Sequence, residues 1–202
     1  YNTYYRKIFS VFKGYDTKSV SLTKESAAVF LWKKGEAMFK EGDFIIYGSN
    51  GVCQVEHIGS MDLQGVPGDK MYYTLVPVYE EKSRLFTPVD NHKVVMRPVI
   101  SKKEACELID HMQEMQVFEI QNEKNRDTVF KEALKTGDCE ELVRVIKTIY
   151  EKKQERKAQG KKVTAGDERY FKLAEEHLYG ELAIALGIEK DKVSSYIEKR
   201  IA

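Results

Sequence analysis

The chain has 202 residues, 42% of them hydrophobic and 32% charged, with a formal net charge of +1. That balance fits one or two globular domains and is too apolar for a mostly disordered chain. It also excludes a generic polyanion binder: residues 1–37 hold seven Lys and Arg against three acids, and residues 38–202 hold 26 against 29, so nucleic-acid contact must come from a local patch.

Residues 1–37 are rich in aromatics (Tyr1, Tyr4, Tyr5, Phe9, Phe12, Tyr15, Phe30, Trp32) and precede a natural-looking start at Met38. They read as an N-terminal extension from an upstream start, with a helix at best over Thr23–Lys34. A basic-aromatic arm for nucleic acid or membrane is the sharper alternative, but the aromatics do not line one helical face opposite the lysines.

From Met38 the pattern is that of strands. Asp43–Tyr47 is a short strand, Gly48-Ser49-Asn50-Gly51 a turn, and Val52–Ile58 alternates. Gly65–Lys70 is a reversal before a long strand over Met71–Tyr79, in which Tyr73, Leu75 and Pro77 share one face. A second reversal at Glu80–Ser83 leads to Leu85–Pro88, and Lys93–Met96 completes about five strands. Short antiparallel strands with tight turns argue for a small Tudor-like or SH3-like β-barrel. So small a module buries little core and works by offering its surface to a partner.

After Pro98 the period changes to that of helices. Ser101 with Glu104 is a capping box, followed by Ala105, Leu108, Ile109 and Met112 at helical spacing. A second helix spans about Asn122–Lys135 and stops at Gly137, and Asp138 caps a third with a stripe of Leu142, Val145, Ile146, Ile149 and Tyr150. A fourth starts at Thr164 or Gly166, carries Phe171, Ala174, Leu178, Leu182 and Ala185, and ends at Gly187. Lys190–Arg200 adds a fifth through Val193, Tyr196 and Ile197. The fold class is therefore α+β, a β-barrel followed by an all-α domain of four to five helices. Its divisions are expected at 1–37, 38–98 and 99–202.

The longest apolar stretch, Ala27–Trp32, is far short of the roughly 20 residues that cross a bilayer. Cys53, Cys106 and Cys139 are isolated and odd in number, which suits a reducing cytoplasm better than a disulfide framework. His57, His92, His111 and His177 lie in no metal-ligand spacing, and no phosphate-binding glycine motif is present. We expect no enzyme, metal, cofactor or small-molecule substrate, and no catalytic residue.

The blocks GDFIIYGSNGVCQVEHIG, TPVDN, KEALKTGDCEELVRVIKTIY and KKVTAGDERYFKLAEEHLYGELAIALG, in that order, resemble the CarD/CdnL family of bacterial transcription regulators. The resemblance runs from Met38 to about Ala202. It implies an RNA-polymerase-interacting domain, shared with the transcription-repair coupling factor, and a helical domain that touches promoter DNA. It also implies binding to the polymerase β subunit and modulation of open-complex stability.

Carried over by position, the polymerase-facing segments fall near Ser60–Leu63 and Leu85–Thr87, naming Met61, Leu63, Leu85, Phe86 and Thr87. Met61 and Phe86 stand where relatives are often basic, so the contact is expected to be more apolar. Packing inside the barrel is the competing reading for Leu63 and Phe86. The physical route to the partner is strand addition at an open edge.

For DNA the main patch is Lys152, Lys153, Arg156, Lys157, Lys161 and Lys162, six basic residues in eleven with only Glu155 opposing. Such a patch holds phosphates without reading sequence. A solvated helix end is its competing reading. Lys124, Arg126 and Lys131 are weaker companions, interleaved with acids. The resemblance implies a tryptophan wedge at the start of the second helix, but Glu123 stands there, and Phe118 is the substitute aromatic. Two functional readings follow: a regulator that docks on polymerase and contacts promoter DNA, and a docking adaptor without the DNA role. Self-association through barrel edges is a third, weaker one.

Overall fold

A computed structural model describes residues 39–60, 70–80, 83–120 and 122–201. The helix expected over Thr23–Lys34 lies outside them, as does the reversal at Gly65–Lys70 apart from Lys70. The described strands are β1 (Phe44–Tyr47), β2 (Val52–Ser60), β3 (Met71–Pro77), β4 (Leu85–Pro88) and β5 (Met96–Pro98). They form one antiparallel five-stranded sheet in the order β4-β3-β2-β1-β5. β1 to β4 follow one another as a meander, and β5 returns to pair with β1.

Alternation puts Ile45, Cys53, Val55, Tyr73 and Leu75 beneath the sheet, where Phe39 and Val89 close their cluster. The Tyr73 hydroxyl accepts a hydrogen bond from the Phe39 N–H at 3.2 Å. A bulge between Val55 and His57 shifts the register of β2 on β3, which bends the strand and sharpens its twist. These five strands followed by helices form the Tudor-like arrangement that the pattern led us to expect.

The last strand differs from expectation. It spans Met96–Pro98, not Lys93–Met96, with Ile46 opposite Arg97. Residues before it are used differently: the Val95 carbonyl accepts from the Gly48 N–H at 2.8 Å, and Val94 packs beside Gly48. Pro98 is tolerated because β5 is an edge.

Five helices follow: α1 (Lys102–His111), α2 (Arg126–Thr136), α3 (Cys139–Ala158), α4 (Ala165–Leu186) and α5 (Val193–Ile201). Their ends follow local chemistry. Ser101 accepts from the Glu104 N–H while Glu104 accepts from the Ser101 N–H, a complete capping box. Asp138 accepts from the N–H groups of Glu140 and Glu141 at 2.8 and 3.2 Å. Thr164 caps α4. α2 is shorter than expected, because Glu123–Asn125 forms a 3-10 turn ahead of it. Leu142, Val145, Ile146, Phe171, Ala174, Leu178, Leu182, Val193 and Ile197 belong to one second core, separate from that of the sheet.

One buried ion pair joins the two cores. Arg97 on β5 donates from Nη1 and Nη2 to the two oxygens of Glu181, at 2.5 and 2.7 Å, and from Nη2 also to the Gly137 carbonyl. Glu181 is 1% exposed in the last third of α4. It further accepts from the Ile100 N–H at 3.0 Å and from the Cys139 thiol at 3.1 Å. Burial first, then the Glu181 carboxylate, push the Cys139 thiol well above its ordinary range, keeping it a donor.

Two glycines let the surfaces close. Gly137 ends α2 with φ +62°, and a Cβ there would stand 2.8 Å from Ile46 Cγ2. A Cβ on Gly180 would stand 2.8 Å from the Tyr79 ring, whose hydroxyl donates to the Gly180 carbonyl at 3.0 Å. Because Glu181 is fully desolvated, removing Arg97 leaves a buried charge without its cation. Arg97→Ala should therefore lower unfolding free energy by about 3–5 kcal/mol, read from urea denaturation midpoints.

α4 also buries a carboxyl without a cation of its own. Glu175 is 8% exposed, and its Oε1 lacks a hydrogen-bond partner among the described residues. Burial, helped by Glu176, raises its pKa to about 7 against the opposing pull of Lys190 and Lys172. The folded state thus holds this proton more tightly than the unfolded chain. Its contribution is complete below the ordinary value of 4.5 and is lost as pH rises through about 7. His177, whose pKa burial lowers, works in the opposite sense, so the wild-type curve is a composite. Glu175→Gln isolates the carboxyl: relative to wild type it should gain on the order of 3 kcal/mol between pH 4.5 and 8. Parallel urea titrations of the two proteins measure this.

Candidate functional site

Two surfaces stand out among the described residues. The first is the outer edge of β4. That strand pairs only with β3, and the edges of the sheet are β4 and β5. Since the helices hold β5 through Arg97, β4 is the edge left open among the described residues.

Of the residues expected on this surface, Phe86 projects outward and is 51% exposed, which decides against the packed reading for it. It lies in a cross-strand row with Thr74 and His57. Leu85 is half-buried and packs against the sheet core. The Thr87 side chain is turned inward, 1% exposed, where its Oγ1 accepts from Asn91 at 2.7 Å. Its backbone pairs with Tyr73 of β3, so Thr87 fixes the strand from within, and the outward backbone of this edge belongs to Phe86 and Pro88. Met61 and Leu63 lie outside the described residues. Sequence reasoning passed over the flank of this edge, where Arg84 holds Glu56 in a two-point ion pair at 2.6 and 2.8 Å. Its signal was a lone arginine at the mouth of an apolar strand.

The second surface is basic and forms where α3 gives way to α4. Lys153, Lys157, Lys161 and Lys162 line one open groove with Val163, Ala165 and Glu168. Lys157, Lys161 and Lys162 are exposed, and Lys152 and Lys153 are half-buried. Burial lowers the pKa of Lys153, and Lys157 adds to that effect against Glu168. Cations gathered around a concavity offer an anion several partners at once, and phosphate oxygens fit that chemistry. Arg156 is half-buried and donates from Nε to the Lys162 carbonyl at 2.8 Å.

Other expected DNA residues are distributed differently. Lys124 and Lys131 are exposed, on the 3-10 turn and on α2. Arg126 points inward: its guanidinium is 14% exposed and lies 3.2 Å from Asp167, which is itself buried at the start of α4. Asp167 also accepts from Thr164 Oγ1 at 2.6 Å, so Arg126 ties the beginning of α2 to the cap of α4. It is a structural cation and does not join the groove.

Phe118 is likewise occupied. Its ring lies beneath the Arg144 guanidinium at 4.1 Å and 6.3 Å from the Phe130 ring, and its N–H donates to Thr148 Oγ1 at 2.9 Å. The loop carrying it is fastened to α3 by Arg144 and Lys147, which donate to the carbonyls of Gln116, Gln113 and Met115. Packing claims this aromatic, which removes it as a free-standing wedge. Glu123 opens the 3-10 turn before α2.

Among the described residues, no group of three or more His, Cys, Asp or Glu is arranged to hold a metal ion. No described helix is long and apolar enough to cross a membrane. The contrast between the two kinds of basic residue is measurable. Arg126→Ala should cost about 3–5 kcal/mol of stability by stranding Asp167, while Lys131→Ala should stay within about 0.5 kcal/mol, both by chemical denaturation.

Two protein-family models match the chain. A family model described as the CarD-like/TRCF RID domain matches residues 39–100. A second, described as the CarD C-terminal domain, matches residues 107–198.

Proposed function

Because this chain belongs to the CarD/CdnL family of RNA-polymerase-interacting transcription regulators, we propose that it docks on the polymerase β subunit through the β4 edge. From there its helices contact promoter DNA and change the stability of the open complex. In this reading residues 38–98 are the docking domain and residues 99–202 the DNA-facing one.

The observation that carries the docking half is the open β4 edge with Phe86 standing out from it. An exposed strand gives a partner strand its backbone hydrogen bonds, and an outward aromatic gives it one apolar anchor. Phe86 and its own outward backbone are the proposed contact, with Leu85 and Thr87 supporting it from the sheet side, and Met61 and Leu63 are proposed from their place in the sequence alone. The lysine groove between α3 and α4 supports the DNA half. Its cations would grip the sugar-phosphate backbone without selecting a base sequence, so the polymerase would choose the promoter and this protein would only hold it.

A second reading is favoured by one observation, the packing of Phe118 where a wedge was expected. With Phe118 held in the packing and unable to prop open a base step, the chain would be a docking adaptor with no role at DNA. The two readings share the first test. Phe86→Asp should weaken binding to the isolated β subunit at least tenfold without changing the thermal midpoint, and wild-type protein that fails to bind β defeats both. Replacing Lys153, Lys157, Lys161 and Lys162 by Ala separates them: shortened promoter-complex lifetime supports the regulator, and an unchanged lifetime supports the adaptor.

A further inference from the structure

The junction between α3 and α4 is more ordered than a solvated lysine loop needs to be. α3 ends with Gly160 at φ +68°, the Gly160 N–H donating to the Lys157 carbonyl at 3.0 Å and the Lys161 N–H to the Arg156 carbonyl at 2.8 Å. That is a Schellman closure, which fixes the backbone as far as Lys161. The Arg156 side chain carries the fixation one residue further, because its Nε donates to the Lys162 carbonyl at 2.8 Å. The chain then meets the Thr164 cap of α4, so Lys162 is held on both sides. Lys162 faces the same groove as Lys153 and Lys157.

Like charges repel, and an unrestrained loop would swing its lysine away from the other two. We propose that Arg156 is a positioning residue: by latching the Lys162 carbonyl it presents Lys162 to the groove, making a preset clamp for neighbouring phosphodiesters of a nucleic-acid backbone. This assigns Arg156 a different part from the direct phosphate contact that its place in the basic run led us to expect. It rests on the DNA reading given above.

Chemistry supplies a discriminating pair of substitutions. Glutamine places an uncharged N–H donor at the same distance along the side chain as arginine Nε, whereas lysine keeps the charge and places its donor one atom further out. Full-length Arg156→Gln, Arg156→Lys, Arg156→Ala and Lys162→Ala proteins are titrated against a mixed-sequence DNA duplex by fluorescence anisotropy over a range of salt concentrations. Each phosphate contact contributes about 0.9 to the slope of log affinity against log salt.

A latch predicts that Arg156→Gln keeps the wild-type slope. Arg156→Lys, Arg156→Ala and Lys162→Ala each lose about 0.9, and the Arg156→Ala/Lys162→Ala double variant loses that same amount, not twice it. Wild-type behaviour of Arg156→Lys with a deficient Arg156→Gln, or additive loss in the double variant, overturns the latch in favour of direct contact. Unchanged slopes in every Arg156 variant overturn it as well. A wild-type affinity that does not respond to salt removes the DNA reading beneath the proposal, an outcome distinct from these.

Discussion

The contact between Arg97 and Glu181 makes this chain one body. Each partner sits where its own module cannot satisfy it: Arg97 on an edge strand of three residues, Glu181 on the buried side of a long helix. A carboxylate so buried is tolerable only with a charge partner and with its remaining lone pairs filled. The Ile100 N–H and the Cys139 thiol complete that filling. Three segments therefore converge on one side chain: the strand, the linker into α1 and the start of α3. The neighbouring glycines then set how closely the sheet and helices approach, and Tyr79 covers the seam from the other side.

This constraint also settles which part of the sheet can face outward. The helices take hold of β5, and β4 lies at the far end of the strand order. A partner on β4 and a nucleic acid at the α3–α4 junction would meet through a stiff connection instead of a flexible linker. Displacement at one surface would then be felt at the other, because a packed core transmits strain. On the proposed reading, such a connection would keep polymerase and promoter in a fixed relation.

Much of the architecture was legible because it is local. Glycine at helix ends, Ser101 with Glu104, Asp138 before α3 and the alternation of β2 and β3 all act within a few residues, so pattern and structure agree there. What pattern could not reach is pairing across the chain. Arg126 looked like a surface cation until Asp167, forty-one positions later, came beside it. Phe118 looked available until Arg144 and Phe130 closed over it. The last strand slid along the chain because its register is set by Ile46 opposite Arg97, not by its own alternation. The Arg97–Glu181 pair is of the same long-range kind, although Glu181 left a trace: a carboxylate immediately before Leu182, inside the apolar stripe of the fourth helix. Of the candidate surfaces, the basic groove was largely visible as a charge run, whereas the docking edge was visible only as a strand.

The brevity of β4 has a consequence of its own. Four residues ending in Pro88, which has no N–H to give, can offer an incoming strand only a short ladder. Such an edge is a poor seed for aggregation, and it also limits the lifetime of whatever it holds. Association through it would depend on a single anchor and a few backbone bonds, so release would be fast. An edge built in this way is suited to brief, repeated association.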